Sequence, residues 1–285
     1  MVMVFEGTHT TTYRYSQPVC LDPHILRLRP RSEGAQRLRH FALHLEPQPV
    51  GLSESRDVEG NDVTLVWFAG VTDIFRVTSN FVVETQRRNP FDYIMTDPLA
   101  DTLPFAYTED LVQSVALYRV SEEADESVAQ FARSVADQVG GKTLPFLATL
   151  TSRIAEMVAY SVRETGDPQP AGVTLARRQG SCRDLAVLFI ETCRALGLAA
   201  RFVSGYQQGA SRQEPRLHAW AEVYVPGGGW RGYDPTLGLA VADRHVTLAA
   251  GRTPQLAAPI AGSFRGSGVS STMQVNIGLR VPGRE

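Results

Sequence analysis

The sequence predicts an α+β fold: a β-sandwich-like N-terminal region, then a core in which helices pack on an antiparallel sheet. Three observations carry this expectation. Residues 1–118 are short runs of alternating apolar and polar side chains cut by proline and glycine turns. After Ser121 the apolar residues fall three and four apart, the spacing of a helix. Beyond residue 200 the alternation returns. Helices followed by strands, rather than strands alternating with helices, point to an antiparallel sheet. The expected division is a β-rich domain over 1–118 and an α+β domain over 119–285.

In the first region, Thr11-Thr-Tyr-Arg-Tyr15, Phe41-Ala-Leu-His-Leu45, Val63-Thr-Leu-Val-Trp-Phe68 and Phe75-Arg-Val-Thr78 read as strands. Pro18, Pro30, Pro47, Pro49, Gly60-Asn61 and Asn89-Pro90 mark the turns between them. The run Ser121-Glu-Glu-Ala-Asp-Glu126 supplies capping and acidic residues for a helix start, and Gly140-Gly141 ends that helix. Phe146 to Tyr160 forms a second periodic segment and Cys182 to Leu196 a third. Strands are expected at 200–206, 217–225 and 230–234. The Gly/Ser-rich run 262–271 reads as a loop.

The chain of 285 residues is 43% apolar and 20% charged, the composition of a globular protein. A formal charge of −2 gives no electrostatic reason for a nucleic-acid or anionic-membrane partner. No run approaches the roughly 18 apolar residues of a membrane helix, and the first residues lack the pattern of a secretory leader, so a cytoplasmic location is expected. Cys20, Cys182 and Cys193 are too few for a disulfide framework, and no Cys-x-x-Cys pair suggests zinc. On one helix, Cys182 and Cys193 would lie about 16 Å apart, too far to bridge.

Position separates these cysteines. In Gly180-Ser-Cys-Arg-Asp184, Ser181 with an acid three residues on is the acidic form of a capping box, which puts Cys182 in the first helical turn. There the helix dipole and the unpaired N–H groups favour a thiolate and can receive an oxyanion. Cys193, in the last turn, has neither advantage and reads as a small buried hydrophobe. Asp184 reads as a cap rather than a catalytic acid.

Partners come from two strands. Leu217-His-Ala-Trp-Ala-Glu-Val-Tyr-Val225 alternates, with His218, Trp220, Glu222 and Tyr224 on one face. Given a loop of three or five residues or a bulge, and not a regular four-residue loop, Asp234 shares the face of His218. With a three-residue loop at 226–228 it opposes Trp220 and lies diagonal to His218, within side-chain reach. A thiolate attacks an amide or ester carbonyl, an imidazole moves the proton, and a carboxylate fixes the imidazole. Cys182, His218 and Asp234 are the parts of that mechanism. His40 and His44 share a strand face but find no third ligand, so solvent exposure is expected. His245 reads as structural, and the chemistry requires no cofactor or metal.

These blocks, with Cys193-Arg-Ala-Leu-Gly-Leu-Ala-Ala-Arg-Phe-Val-Ser-Gly-Tyr206 and Gly232-Tyr-Asp-Pro-Thr236, resemble the core of the transglutaminase-like superfamily. His9-Thr-Thr-Thr-Tyr-Arg-Tyr-Ser16, Leu26-Arg-Leu-Arg-Pro30 and Asp57-Val-Glu-Gly-Asn61 resemble the β-rich N-terminal region of its bacterial members. The resemblance implies a papain/transglutaminase-like catalytic domain, a Cys182-His218-Asp234 triad and the activity of a cysteine protease, amidase or acyltransferase on a peptide or protein. It also makes Tyr160 a candidate oxyanion donor, with core packing the competing role; Trp220 is a candidate cleft wall. The calcium used by some animal relatives has no acidic loop here. Hydrolysis of a peptide or isopeptide bond is favoured over transfer to an amine. An arylamine-acetyltransferase-like reaction fits less well, because a β-region precedes the helices. A binding module that kept the fold fits less well too, because all three triad members are present. The motifs name neither an individual substrate nor an oligomeric state.

Overall fold

The computed structural model describes residues 3–121, 125–163, 165–208 and 216–282. Its first part contains β1 (Met3–Leu21), β2 (His24–Leu26), β3 (Gln36–Glu46), β4 (Gly51–Arg56), β5 (Asp62–Trp67) and β6 (Thr72–Thr85). The expected strands fall within these, except that the one over 63–68 runs one residue past the end of β5. Alternation is strictest in β6, where Phe75, Val77, Ser79, Phe81, Val83 and Thr85 are buried and their neighbours are not. One side of this strand therefore faces a core and the other is partly wet. Burial of Phe5, Leu26, Leu28, Val66, Phe75 and Val77 joins the two N-terminal sheets through a single apolar cluster. His40 and His44 are exposed on β3 as expected, whereas His9 and His24 are buried.

The region over 1–118 is not wholly β: α1 (Glu109–Val112) lies inside it, in a polar, proline-containing stretch that alternation cannot describe. After it come α2 (Glu126–Gln138), α3 (Thr143–Met157), β7 (Ala159–Tyr160), α4 (Ala171–Arg177), β8 (Gln179–Gly180) and α5 (Cys182–Arg194). Asp125 caps α2 by accepting the Ser127 N–H at 2.8 Å; residues 122–124 of the expected start lie outside the described residues. Gly140 and Gly141, both at positive φ, end α2 as expected. Helix α3 stops three residues short of Tyr160, which instead lies in β7 beside β8. Helix α5 ends at Arg194, and Gly197 takes φ +85°, where a side chain would also strike the Phe105 carbonyl oxygen. No helix among the described residues is long and apolar enough to cross a membrane.

The remaining strands are β9 (Ala200–Gln207), β10 (Leu217–Val225), β11 (Gly229–Asp234), β12 (Leu239–Ala240), β13 (His245–Gly251), β14 (Ile260–Ala261), β15 (Phe264–Arg265) and β16 (Ser271–Arg280). An antiparallel sheet with strand order β12-β11-β10-β9-β13 carries α5 against its Ala219, Ala221, Val223 and Val225 side. The run 262–271 is not all loop, since it contains β15. The last strand departs most from expectation. It pairs with β1 from Glu6↔Arg280 to Tyr15↔Ser271, so the division expected at 118/119 is crossed by the end of the chain. Such a pairing joins residues more than 250 positions apart, which no local pattern reveals.

The core sheet is curled. Adjacent strands stand about 4.8 Å apart, so β11 and β13, three intervals apart, would be about 14 Å from each other in a flat sheet. Their side chains nevertheless meet, as described below. A register shift between Thr247 and Ala249 on β13 adds to the bend. Gly205, at the centre of β9, makes room for it: a Cβ there would lie 2.4 Å from Cη2 of Trp220 and 2.3 Å from the Val246 carbonyl oxygen. A Gly205→Ala chain is expected to lose about 3 kcal/mol of stability, seen as a lower urea midpoint. An unchanged midpoint would refute this account of the curl.

Candidate active site

Cys182 opens α5 for reasons written in its neighbours. Ser181, the N-cap residue, sends both its backbone N–H and its Oγ–H to Asp184 Oδ2, at 2.7 and 2.8 Å. The Gln169 N–H binds Asp184 Oδ1 at 2.7 Å, and Arg163 pairs with the same oxygen. Burial would raise the Asp184 pKa, but these donors and the Arg163 charge hold it below the usual carboxylate range. Asp184 is thus fully occupied as a cap. The first helical bonds run from Asp184 N and Leu185 N to the Ser181 carbonyl. The amides of Cys182 and Arg183 precede them, on the positive end of the helix dipole.

His218 lies at the start of β10 and Asp234 at the end of β11, on the same end of the sheet. The hairpin has the three-residue loop 226–228, and its register runs Val225↔Gly229 to Ala221↔Tyr233, so Asp234 falls opposite Trp220. His218 Nε2 reaches Asp234 Oδ2 at 2.7 Å. The Cys182 thiol lies near enough to the same ring to raise its pKa; since Nε2 is engaged by Asp234, the nitrogen left to face sulfur is Nδ1. The structure therefore brings together the three residues that the sequence nominated.

The charges of this cluster reinforce one another. Burial would lower the His218 pKa, but the Asp234 charge, its hydrogen bond and the contact with Cys182 raise it to about 10. Asp234 is fully buried. Burial would raise its pKa, yet the two histidines bound to it push it far below the normal carboxylate range. Its Oδ1 accepts the N–H groups of Thr236 and Leu237, at 2.9 and 3.2 Å, which anchors the carboxylate in the turn after β11.

Other nominated residues lie as follows. Tyr160 is about half exposed, and its strand runs parallel to the Gln179–Gly180 strand that leads into Cys182. Desolvation, then the charge of Cys182, raise its pKa, so the phenol stands within electrostatic reach of the thiol. Trp220 does not wall a cleft. It is fully buried, clustered with Val203 and Ala250, because the curled sheet closes over the face it shares with His218. Cys193 is completely buried in the core, where desolvation pushes its pKa up.

One residue was missed as part of the site. His245 on β13 places Nε2 3.0 Å from Asp234 Oδ2, the oxygen that also holds His218. The sequence reads His245 as structural and gives no sign of a contact across three strand intervals. The ligand-type atoms of His218, Asp234 and His245 all lie within 4.8 Å of one another, near enough to hold a metal. Each is already hydrogen-bonded within the set, and the arrangement is explained without one.

Residues 6–84 match the family described as bacterial transglutaminase-like N-terminal region, and residues 129–235 match the transglutaminase-like superfamily. An uncharacterised protein of Mycobacterium tuberculosis is 28% identical over 287 residues, covering 96% of this chain and 91% of its own. Another, from Mycobacterium leprae, is 26% identical over 270 residues, covering 92% and 93%. A crystal structure of a candidate cysteine protease from Cytophaga hutchinsonii superposes with a TM-score of 0.74 at 23% identity, covering 100% of this chain and 92% of its own. That last likeness is one of fold.

Proposed function

Because the chain belongs to the transglutaminase-like superfamily in its bacterial form, we propose that it hydrolyses a peptide or isopeptide amide through a thioester on Cys182. One observation carries the reading: a thiol at a helix N-terminus, beside a histidine that a buried aspartate holds at 2.7 Å.

His218, protonated at neutral pH, is the counter-charge of a Cys182 thiolate. Sγ attacks the amide carbon, and the carbonyl oxygen takes the charge, facing the amides of Cys182 and Arg183. The tetrahedral species collapses as His218 Nδ1–H passes its proton to the leaving amine, and the acyl group stays on sulfur. Water then attacks the thioester, losing a proton to Nδ1; collapse releases the carboxylic acid and restores the ion pair. Asp234 stays ionised and fixes the imidazole throughout. Water needs no binding site of its own, so hydrolysis asks least of the cleft.

Mass spectrometry of the chain incubated with glutamine-containing and isopeptide-linked peptides tests this. The expected result is an acyl adduct on Cys182 that hydroxylamine releases. A new amide formed with an added primary amine would replace hydrolysis by transfer, and absence of any adduct over a broad peptide set would overturn both.

The ion pair also sets a pH window. The folded-state pKa of His218, about 10, lies above its ordinary 6.5. Its stabilisation is therefore complete below about pH 6.5 and lost as pH rises through about 10. For Asp234 the folded value is depressed, so its contribution is present above about pH 4 and lost on acidification. Iodoacetamide labelling at neutral pH is expected to be far faster at Cys182 than at Cys193, and equal rates at the two would contradict the ion pair.

A further inference from the structure

Asp234 holds two histidines on one oxygen, and the thiol mechanism above uses only one of them. Oδ2 lies 2.7 Å from His218 Nε2 and 3.0 Å from His245 Nε2, while the N–H groups of Thr236 and Leu237 take Oδ1. An ionised carboxylate can only accept, so each ring must carry its hydrogen on Nε2. The other nitrogen of His245, Nδ1, is buried and has no hydrogen-bond partner among the described residues. A doubly protonated His245 would leave an N–H buried and unmet, a costly arrangement, whereas an empty lone pair is cheaper to bury.

Resting on the thiol reading, we propose that His245 is a positioning residue of this site: a neutral Nε2–H imidazole that fixes Asp234 and shares with His218 the oxygen that orients it. Its surroundings fit that part. Titratable groups acting on it are Asp234 on β11, His218 on β10 and Asp243 just ahead of β13. The Trp220 ring packs edge-on against it with centroids 5.2 Å apart and holds its plane. Burial favours the neutral form, partly opposed by Asp234.

The second donor has a chemical consequence. Oδ2 divides its charge between two N–H groups, so it stabilises the His218 imidazolium less than an undivided carboxylate would. The proton on the other ring nitrogen, Nδ1, must leave that imidazolium for the departing amine and return from water in each cycle. Held too strongly, His218 would keep the thiolate paired but release its proton slowly. His245 thus acts on the proton-transfer step and not on substrate contact.

The first test uses the unsubstituted chain. Nitrogen-15 NMR of labelled histidine is expected to find His245 as the neutral Nε2–H tautomer at neutral pH; the Nδ1–H tautomer or an imidazolium there would overturn the proposal. The second uses variants. With a peptide that acylates Cys182, a His245→Phe chain is expected to lose about 10- to 100-fold in kcat with little change in KM. Its pH–rate profile should shift at the His218 limb. A His245→Gln chain, whose amide can still donate to Oδ2, should recover most of the loss. A Phe variant with the original kcat and pH profile would overturn the proposal, as would a Gln variant as slow as Phe. If the Phe variant does not fold, the NMR tautomer and the Gln variant decide. Equal labelling of Cys182 and Cys193 in the unsubstituted chain would overturn the thiol mechanism instead, and the tautomer measurement would still report on the Asp234 contact by itself.

Discussion

A Cys182→Ala chain is expected to fold normally and lose at least about 10⁴-fold in acylation. The side chain is small and sits at the edge of the core, so its removal costs little packing. Everything else in the mechanism passes through its sulfur. The useful contrast is His218→Ala, which keeps the thiol and removes its counter-charge. Labelling by iodoacetamide at pH 6 to 7 should then fall towards the rate of an ordinary cysteine, with Cys193 as the slow internal reference. Comparable rates at Cys182 in the original and His218→Ala chains would sink the ion pair. Near-normal acylation by Cys182→Ala would move the chemistry elsewhere.

Replacing Asp234 has two large effects together. It is fully buried, and four donors converge on it: His218, His245 and the N–H groups of Thr236 and Leu237. An Asp234→Ala chain leaves all four without their acceptor. Breaking a buried charged contact of this kind costs about 3–5 kcal/mol, to be read as a lower denaturant midpoint. Asp234→Asn keeps the shape but offers an N–H where a histidine N–H already points. Its stability should suffer less, while acylation falls by about 10⁴-fold. Separate measurements of stability and rate on the two variants distinguish anchoring from orientation. Asparagine with full activity would mean that the charge of Asp234 is not needed.

What was legible in the sequence follows a physical boundary. The start of α5 could be read because Ser181 and Asp184 are three residues apart and solve a local problem, the unpaired donors of a helix end. The hairpin could be read in part: strand parity put His218 and Asp234 on one face for a three- or five-residue loop, and the structure has the three-residue loop that pairs them. Those signals are short-range. Where the outcome depended on how distant elements stack, the residues were silent. Trp220 alternates like a cleft residue, yet the curl of the sheet buries it. His245 reaches Asp234 only because three strand intervals are folded into one contact. Tyr160 continues an apolar run, but α3 gives way to a short strand before reaching it. The strand Ser271–Arg280 alternates weakly and is mostly exposed, so nothing in it names β1 as its partner.

That final pairing governs how the molecule can be made. Strand β1 leaves the ribosome long before residues 271–280, which must emerge before its outer edge is covered. Until then the long β1–β6 ribbon offers a row of unmet backbone donors and acceptors to any neighbouring chain. Contacts at such separation also slow the search for the native state. Synthesis therefore passes through an interval in which Cys182, His218, Asp234 and His245 have all been made while the first sheet is still open to association, and the yield of soluble protein should depend on how quickly residues 271–280 find their place.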